Sequence, residues 1–138
     1  MDKKYELLLE DKIEYKRKTL YRIRALRDFG NVKAGDIGGH IESEKNLSQD
    51  GSCWVYGNAK VYGNTEVFGD ARIYENAQVY ENARVYGNSK VYGWARVCGN
   101  ADVCGDAEVY GRSKVCGNAV VCGNAVSYTH LRAHETRG

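Results

Sequence analysis

One six-residue phrase is repeated without insertion or deletion from residue 55 to residue 126 of this 138-residue chain. It starts as V-Y-G-N-A-K, V-Y-G-N-T-E and V-F-G-D-A-R, and its last copy reads V-C-G-N-A-V. The first position is always Val or Ile, and the fifth is always Ala, Ser or Thr. A strict period this short is typical of a solenoid, in which each repeat packs only against its neighbours.

The hexad has the pattern of a short strand followed by a corner. Glycine at its third position would cost a helix roughly 1 kcal/mol per copy, whereas a strand places the small residue and Val on one side and their neighbours on the other. Glycine fills this position everywhere except at Glu75 and Glu81. It allows positive φ at the corner, and we expect the Asn that usually follows to share that conformation.

Three strands and three corners make a triangular coil of about eighteen residues, so the hexads predict about four parallel coils in a column roughly 19 Å tall. Stacking residues one coil apart gives three outward rows: Tyr56, Tyr74, Tyr92 and Tyr110; Tyr62, Tyr80, Cys98 and Cys116; and Phe68, Tyr86, Cys104 and Cys122. The inward rows of small and β-branched residues fill a narrow core without room for a ligand.

The residues before the repeat predict a cap. Residues 1–28 alternate apolar and charged side chains, which favours a β-hairpin, and the glycine-rich residues 29–40 are interpreted as a turn-rich connector. Residues 41–50 are polar and irregular. We therefore divide the chain into a hairpin and capping segment (1–52), a β-solenoid (53–126) and an irregular tail (127–138).

The charges of the chain are balanced. Residues 1–52 carry eleven Lys and Arg against ten Asp and Glu, and residues 53–126 carry seven against seven. This balance disfavours nucleic-acid binding, which needs a basic footprint. The short apolar run near the start predicts neither a signal peptide nor a membrane span, so we expect a cytoplasmic protein with reduced cysteines.

The hexads resemble the hexapeptide-repeat proteins that fold as left-handed parallel β-helices. The segment from Leu20 to Ala59, L-Y-R-I-R-A-L-R-D-F-G-N-V-K-A-G-D-I-G-G-H-I-E-S-E-K-N-L-S-Q-D-G-S-C-W-V-Y-G-N-A, resembles a narrower subgroup of bacteria and phages. Some of its members are labelled acetyltransferases or polymer-forming proteins. The resemblance implies an all-β, left-handed β-helix and a homotrimer. The final residues, S-Y-T-H-L-R-A-H-E-T-R-G, resemble a stray translated tail, so we expect them to be non-native and the native solenoid to continue.

Histidine is absent between residues 55 and 126. The acyltransferases that the hexads resemble use a coil histidine as general base, and carbonic anhydrases of this architecture hold zinc with three histidines. His40 in the connector is the one catalytic candidate outside the tail, which holds His130 and His134. A surface or capping role for His40 is the favoured interpretation, and we expect no metal and no cofactor.

Four cysteines occupy tyrosine positions of the repeat. Cys98 and Cys116 stack one coil apart, as do Cys104 and Cys122, at about 4.8 Å between Cα atoms, which is compatible with a disulfide. Side chains that leave parallel strands side by side rarely reach the disulfide torsion, so free structural thiols are favoured over redox pairs, and both over a metal site.

The outward rows also suggest a binding surface. Tyr, Trp and Arg are frequent in the energetic centres of protein interfaces, although such rows also stabilise neighbouring coils by themselves. Trp54 heads one row with Arg72 one coil above it, in position for a cation–π contact. The candidate surface consists of Trp54, Tyr56, Tyr74, Tyr92, Tyr110, Tyr62, Tyr80, Arg72 and Lys90.

Three functional hypotheses follow from these patterns. The favoured one is a non-enzymatic β-solenoid that acts as a structural scaffold or protein-binding surface, with self-association as a homotrimer or by end-to-end stacking. The second is an acyltransferase that uses acyl-coenzyme A, as the resemblance implies. The third is a phage anti-defence inhibitor that binds a host protein.

Overall fold

The computed structural model describes residues 3–123, and within this range the chain forms a parallel β-solenoid capped by an antiparallel hairpin. The prediction of an all-β solenoid is confirmed, since this range contains one 3-10 turn, Glu44–Asn46, and no α-helix. The strands are β1 (Tyr5–Tyr15), β2 (Lys18–Ala25), β3 (Ile37–Ile41), β4 (Trp54–Val55), β5 (Lys60–Val61), β6 (Glu66–Val67), β7 (Arg72–Ile73), β8 (Gln78–Val79), β9 (Arg84–Val85), β10 (Lys90–Val91), β11 (Arg96–Val97), β12 (Asp102–Val103), β13 (Glu108–Val109), β14 (Lys114–Val115) and β15 (Val120–Val121).

Each hexad contributes one two-residue strand, and strands one coil apart pair in parallel. Three sheets result: β4, β7, β10 and β13; β6, β9, β12 and β15; and β5, β8, β11 and β14, which continue the sheet of β1 to β3. The residues of each pair are 18 apart in sequence, as in the register of Lys90 with Glu108. Backbone bonds between coils, such as Lys60 N–H to Ala77 C=O at 3.0 Å, run up every face.

The corners turn at the third residue of the hexad. Gly87 has a φ of +72°, and a Cβ there would lie 2.9 Å from the backbone nitrogen of Gly105 in the next coil. Glu75 and Glu81 also have positive φ, and each carboxylate accepts a hydrogen bond from a backbone N–H of the coil above. The φ of the following Asn is not positive, so our expectation for the Asn conformation was wrong. The reason is that a single left-handed residue suffices for the turn.

The core of the column is made of ladders of small and β-branched side chains, stacked one coil apart. The Val and Ile of the first position and the Ala, Ser and Thr of the fifth are buried in the described coils. Fully burying one Val contributes roughly 1.5–3 kcal/mol, and each coil repeats the same contribution. The hexad thus stabilises the column one layer at a time.

The solenoid begins before the hexads. β3 pairs in parallel with β5, placing His40 beside Lys60, and Leu47 forms a parallel bridge to Val67. The parallel pairing therefore starts earlier than residue 53, where the sequence suggested a boundary. Gly38 and Gly39 lie inside β3 rather than in a turn. Glycine is needed in this strand because a Cβ on Gly39 would come within 2.7 Å of the Ala59 carbonyl oxygen.

The predicted N-terminal hairpin is present and covers the lower end of the column, called the base below. β1 pairs with β2, and β2 pairs with β3, both antiparallel. The Tyr5 hydroxyl donates to the Leu47 carbonyl at 2.6 Å, and the fully buried Lys4 ammonium donates to the Cys53 carbonyl at 2.8 Å. The hairpin therefore closes an end that would otherwise expose core side chains.

Two further predictions concern the tail and a membrane span. The tail of residues 127–138, proposed to be non-native, lies outside the described residues, as do the last three residues of the final hexad. Within residues 3–123, no helix has the length and apolar character needed to cross a membrane.

Candidate functional site

The row of Tyr56, Tyr74, Tyr92 and Tyr110 forms a continuous aromatic surface, here called the tyrosine face. The rings of Tyr74 and Tyr92 stack with centroids 4.7 Å apart, and those of Tyr92 and Tyr110 at 5.3 Å. Tyr56 meets Tyr74 edge to face at 6.2 Å. Paired strands of successive coils lie at a separation suited to offset stacking of aromatic rings, so the stacked tyrosines follow from the spacing of the coils.

Cationic side chains lie beside the tyrosine face, as the sequence suggested. Arg72, Lys90 and Glu75 join Tyr56 and Tyr74 around an open groove of about 440 Å³. Burial raises the pKa of both phenols, so they stay neutral at physiological pH. Neutral phenol rings beside Arg and Lys offer apolar area, hydrogen bonds and positive charge to a partner.

Tyr92 is anchored by a hydrogen bond on the same face. Its hydroxyl donates to the Glu108 carboxylate at 2.8 Å. Burial and this carboxylate both raise the pKa of Tyr92. The ring is therefore held in one orientation, which lowers the entropy that a partner would have to remove on binding.

The second aromatic row is partly covered, which corrects our assignment of Tyr62 to an exposed surface. Tyr62 and Tyr80 stack at 5.3 Å, but Tyr62 is only 4% exposed. The ring of Tyr15, from the hairpin, meets Tyr62 edge to face at 5.8 Å. Tyr80 stays half-buried and accessible.

Trp54 is not a surface residue, and its predicted cation–π contact with Arg72 is wrong. Its side chain is 1% exposed and packs against Tyr5 and Phe29, with ring centroids at 6.1 and 5.2 Å. The hairpin and the following loop cover the position that would be outward in a higher coil. Trp54 is therefore part of the core of the base.

Trp94 is the exposed tryptophan of the described chain, and our sequence reasoning missed it. It occupies the fourth position of its hexad, where Asn is usual, and is 58% exposed. The Arg112 guanidinium lies over its ring, 6.0 Å from the centroid. The signal was the replacement of Gly-Asn by Gly-Trp in one repeat.

His40 is buried in the sheet at the base of the column. It is 5% exposed, paired with Arg22 of β2 on one side and Lys60 of β5 on the other. Its Nδ1 has no hydrogen-bond partner among residues 3–123. Burial, followed by the charges of Arg22 and Lys60, lowers the pKa of the imidazole, which is therefore neutral at pH 7.

The four repeat cysteines stack one coil apart, as predicted, but the structure pairs them as disulfides rather than as the free thiols that the sequence favoured. The structure bonds Cys98 to Cys116 and Cys104 to Cys122, with Cα atoms 4.7 and 4.6 Å apart. Both Cα separations lie within the range that a disulfide spans. Redox activity of these pairs stays a prediction.

Two further observations concern the chemistry of the described residues. Cys53 is free and buried, and burial raises the pKa of its thiol although the Lys4 ammonium lies 3.3 Å from the sulfur. No group of three His, Cys, Asp or Glu side chains within residues 3–123 is arranged to hold a metal ion.

Comparison with known proteins supports the repeat architecture. Residues 77–93 match a family model for the YdcK beta solenoid repeat. A 37-residue stretch is 49% identical to an uncharacterized acetyltransferase, YdcK, of Escherichia coli strain K12. That alignment covers 27% of this chain and 11% of the relative, so the chain spans only a small part of the relative's length.

Proposed function

We propose that this β-solenoid is a non-enzymatic scaffold whose outer faces bind protein. The observation that carries the proposal is the tyrosine face, a rigid ladder of half-buried rings flanked by Arg72 and Lys90. Tyr and Arg are frequent in the energetic centres of protein interfaces, and a pre-ordered surface loses little entropy on binding. Self-association and a cytoplasmic location stay predictions.

The interior of the column supports a structural role. Its coils are filled by Val, Ile and small side chains, and the described coils contain no accessible histidine to serve as general base. Catalysis of acyl transfer needs such a group within hydrogen-bond reach of the acceptor. His40 is behind the hairpin strands, with cations on both sides.

The test compares substitutions on two faces. The double variant Tyr74→Ser and Tyr92→Ser removes the centre of the tyrosine face, and Tyr86→Ser is the matched control in another row. Light scattering and electron microscopy of the purified protein should show a discrete oligomer that the double variant disrupts and the control retains. A monomer that is unaffected by either change would contradict self-association through this face.

Acyl transfer is the second candidate, supported by the similarity to the E. coli acetyltransferase. It predicts heat on titration with coenzyme A or acetyl-coenzyme A, and transfer to a small acceptor that His40→Gln abolishes. Robust transfer of this kind would overturn the scaffold proposal. The absence of heat with either compound would remove the enzyme hypothesis.

A further inference from the structure

Polar and cationic side chains around Trp94 form a second surface, here called the Trp94 groove. It lies on the sheet of β8, β11 and β14, and it is an open depression of about 360 Å³. Its lining includes Trp94, Arg96, Arg112, Lys114, Asn76 and Gln78. The tyrosine face belongs to the sheet of β4, β7, β10 and β13, and the groove begins at the corner beside it, where Trp94 follows Tyr92 by two residues.

The charge of the Trp94 groove is uncompensated. No carboxylate within residues 3–123 forms an ion pair with Arg96, Arg112 or Lys114. On the sheet of β6, β9, β12 and β15, by contrast, Arg84 at the same hexad position pairs with Asp102 at 3.0 Å. Three cations on adjacent coils therefore present a local positive potential in a chain whose formal net charge is only +2.

The aromatic ring adds a second, independent feature. Trp94 exposes a large apolar surface at a corner where the other hexads place small polar residues or Arg112. Trp and Arg are both enriched among the interface residues that dominate binding energy. The side-chain amides of Asn76 and Gln78 border the ring and supply hydrogen bonds to a backbone.

We infer that the Trp94 groove binds an acidic, extended segment of a protein partner. Asp or Glu carboxylates of the segment pair with Arg96, Arg112 and Lys114, and an apolar side chain packs on the Trp94 ring. Guanidinium–carboxylate pairs are among the strongest hydrogen-bonded contacts, which fits an acidic partner. The inference rests on the protein-binding function proposed above and names the partner for one surface.

The shape and extent of the groove disfavour other occupants. Small-molecule sites enclose most of their ligand, whereas this depression is open to solvent. A nucleic-acid track would need cations along several coils, but the row below Arg96 continues with the neutral Gln78. A compact patch of three cations and one ring suits a short acidic segment.

The experiment titrates the full chain with poly-glutamate and follows tryptophan emission. The two tryptophans of the chain differ in exposure, because Trp54 is buried and Trp94 is not, so a change on binding reports on Trp94. Poly-lysine and polyuridylate are the comparison probes. We expect a saturable change with poly-glutamate that weakens as salt is added, because the charges are exposed.

Variants taken from the repeat itself keep the fold. Trp94→Asn and Arg112→Asn are two separate variants, and each introduces the Asn that the lower coils carry in this corner row. The double variant Arg96→Gln and Lys114→Gln introduces the residue found at Gln78, in the same row of the sheet. Each variant should weaken poly-glutamate binding by about tenfold or more. Binding to Trp94→Asn is measured by calorimetry, because this variant lacks the reporting tryptophan. Arg84→Gln removes one positive charge on another face, as Arg112→Asn does in the groove, and should leave the affinity within about twofold.

Three outcomes would overturn the inference. The first is equal weakening by Arg84→Gln, which would indicate attraction to the whole chain. The second is tight binding of polyuridylate without binding of poly-glutamate. The third is salt-sensitive self-association that Trp94→Asn abolishes, which would make a second copy the occupant. No binding of poly-glutamate by the parent chain would also overturn the inference, while leaving the proposed function of the tyrosine face standing. Acyl transfer by the protein would overturn the proposed function alone.

Discussion

The base of the column and the hexad coils above it are stabilised in opposite ways. The base depends on residues that occur once, such as Tyr5, Lys4 and Trp54, which come from distant parts of the sequence. The coils depend on the same Val and Ala contacts repeated in every layer. In a solenoid each layer contacts only its neighbours, so a defect in a coil stays local, whereas a defect in the base opens one end of the column.

The largest expected effect is that of Trp54→Ala. Removing this buried ring deletes its contacts with Tyr5 and Phe29 and leaves a cavity beneath the hairpin. We expect a loss of about 3–5 kcal/mol in the free energy of unfolding. Urea unfolding followed by far-ultraviolet circular dichroism measures it. A loss no larger than that of a coil valine would contradict the contrast between base and coils.

Val91→Ala tests the other side of the comparison. Val91 is fully buried in β10, and truncation removes two carbon atoms from one layer of the core. We expect a loss of about 2 kcal/mol. Hydrogen exchange should show faster opening confined to the coils that contain β7, β10 and β13. Uniform loss of protection, extending to β1 and β2, would show that the layers are strongly coupled.

Acidification should weaken the base through His40. The pKa of the folded state is lowered from its ordinary value of 6.5, so the unfolded chain takes up the proton first as the pH falls. The stability that neutral His40 provides is present above pH 6.5 and is lost as the pH falls toward the lowered pKa. Unfolding measured at several pH values should show this loss.

The matched variant for this titration is His40→Gln, which cannot take up the proton. Its unfolding free energy should change less between about pH 7 and about pH 5 than that of the parent chain. An unchanged pH dependence would mean that His40 has the same pKa in the folded and unfolded states.

Arg84→Gln should have the smallest effect on stability. Its ion pair with Asp102 lies on the surface of a coil, where solvent screens the charges. We expect the urea midpoint to stay within experimental error. A clear drop would show that exposed charge ladders contribute to the coils as the buried valines do.

The coils could be predicted well from the sequence because every hexad contains the residues that determine the geometry of its layer. The alternation of inward and outward residues and the glycine corners are local properties, and the stacked rows follow from them. The Tyr74 and Tyr92 stack was predictable in this way. Trp94 breaks this regularity, because it stands where most hexads have Asn, and its exposure was therefore also predictable although our sequence analysis missed it.

The base was less predictable, because its residues are not repeated. The start of parallel pairing at β3 and the packing of Gly39 against Ala59 depend on how an irregular segment meets the first regular coil. The burial of Trp54 and Tyr62 also depends on the hairpin, which the sequence places far from both. A surface inferred from row positions alone therefore included two residues that the hairpin covers.

By itself, the sequence determined the solenoid, its corners and its stacked rows, since these depend on contacts that recur at a fixed separation. Only the tertiary structure decided which members of those rows reach solvent, because the hairpin folds back over the lowest coils. The charge rows belong with what the sequence determined, since Arg84 and Asp102 are one coil apart on one face, as are Arg96 and Lys114 on another. Exposure is a property of the assembled faces, because it depends on what packs over them, and no single hexad contains it.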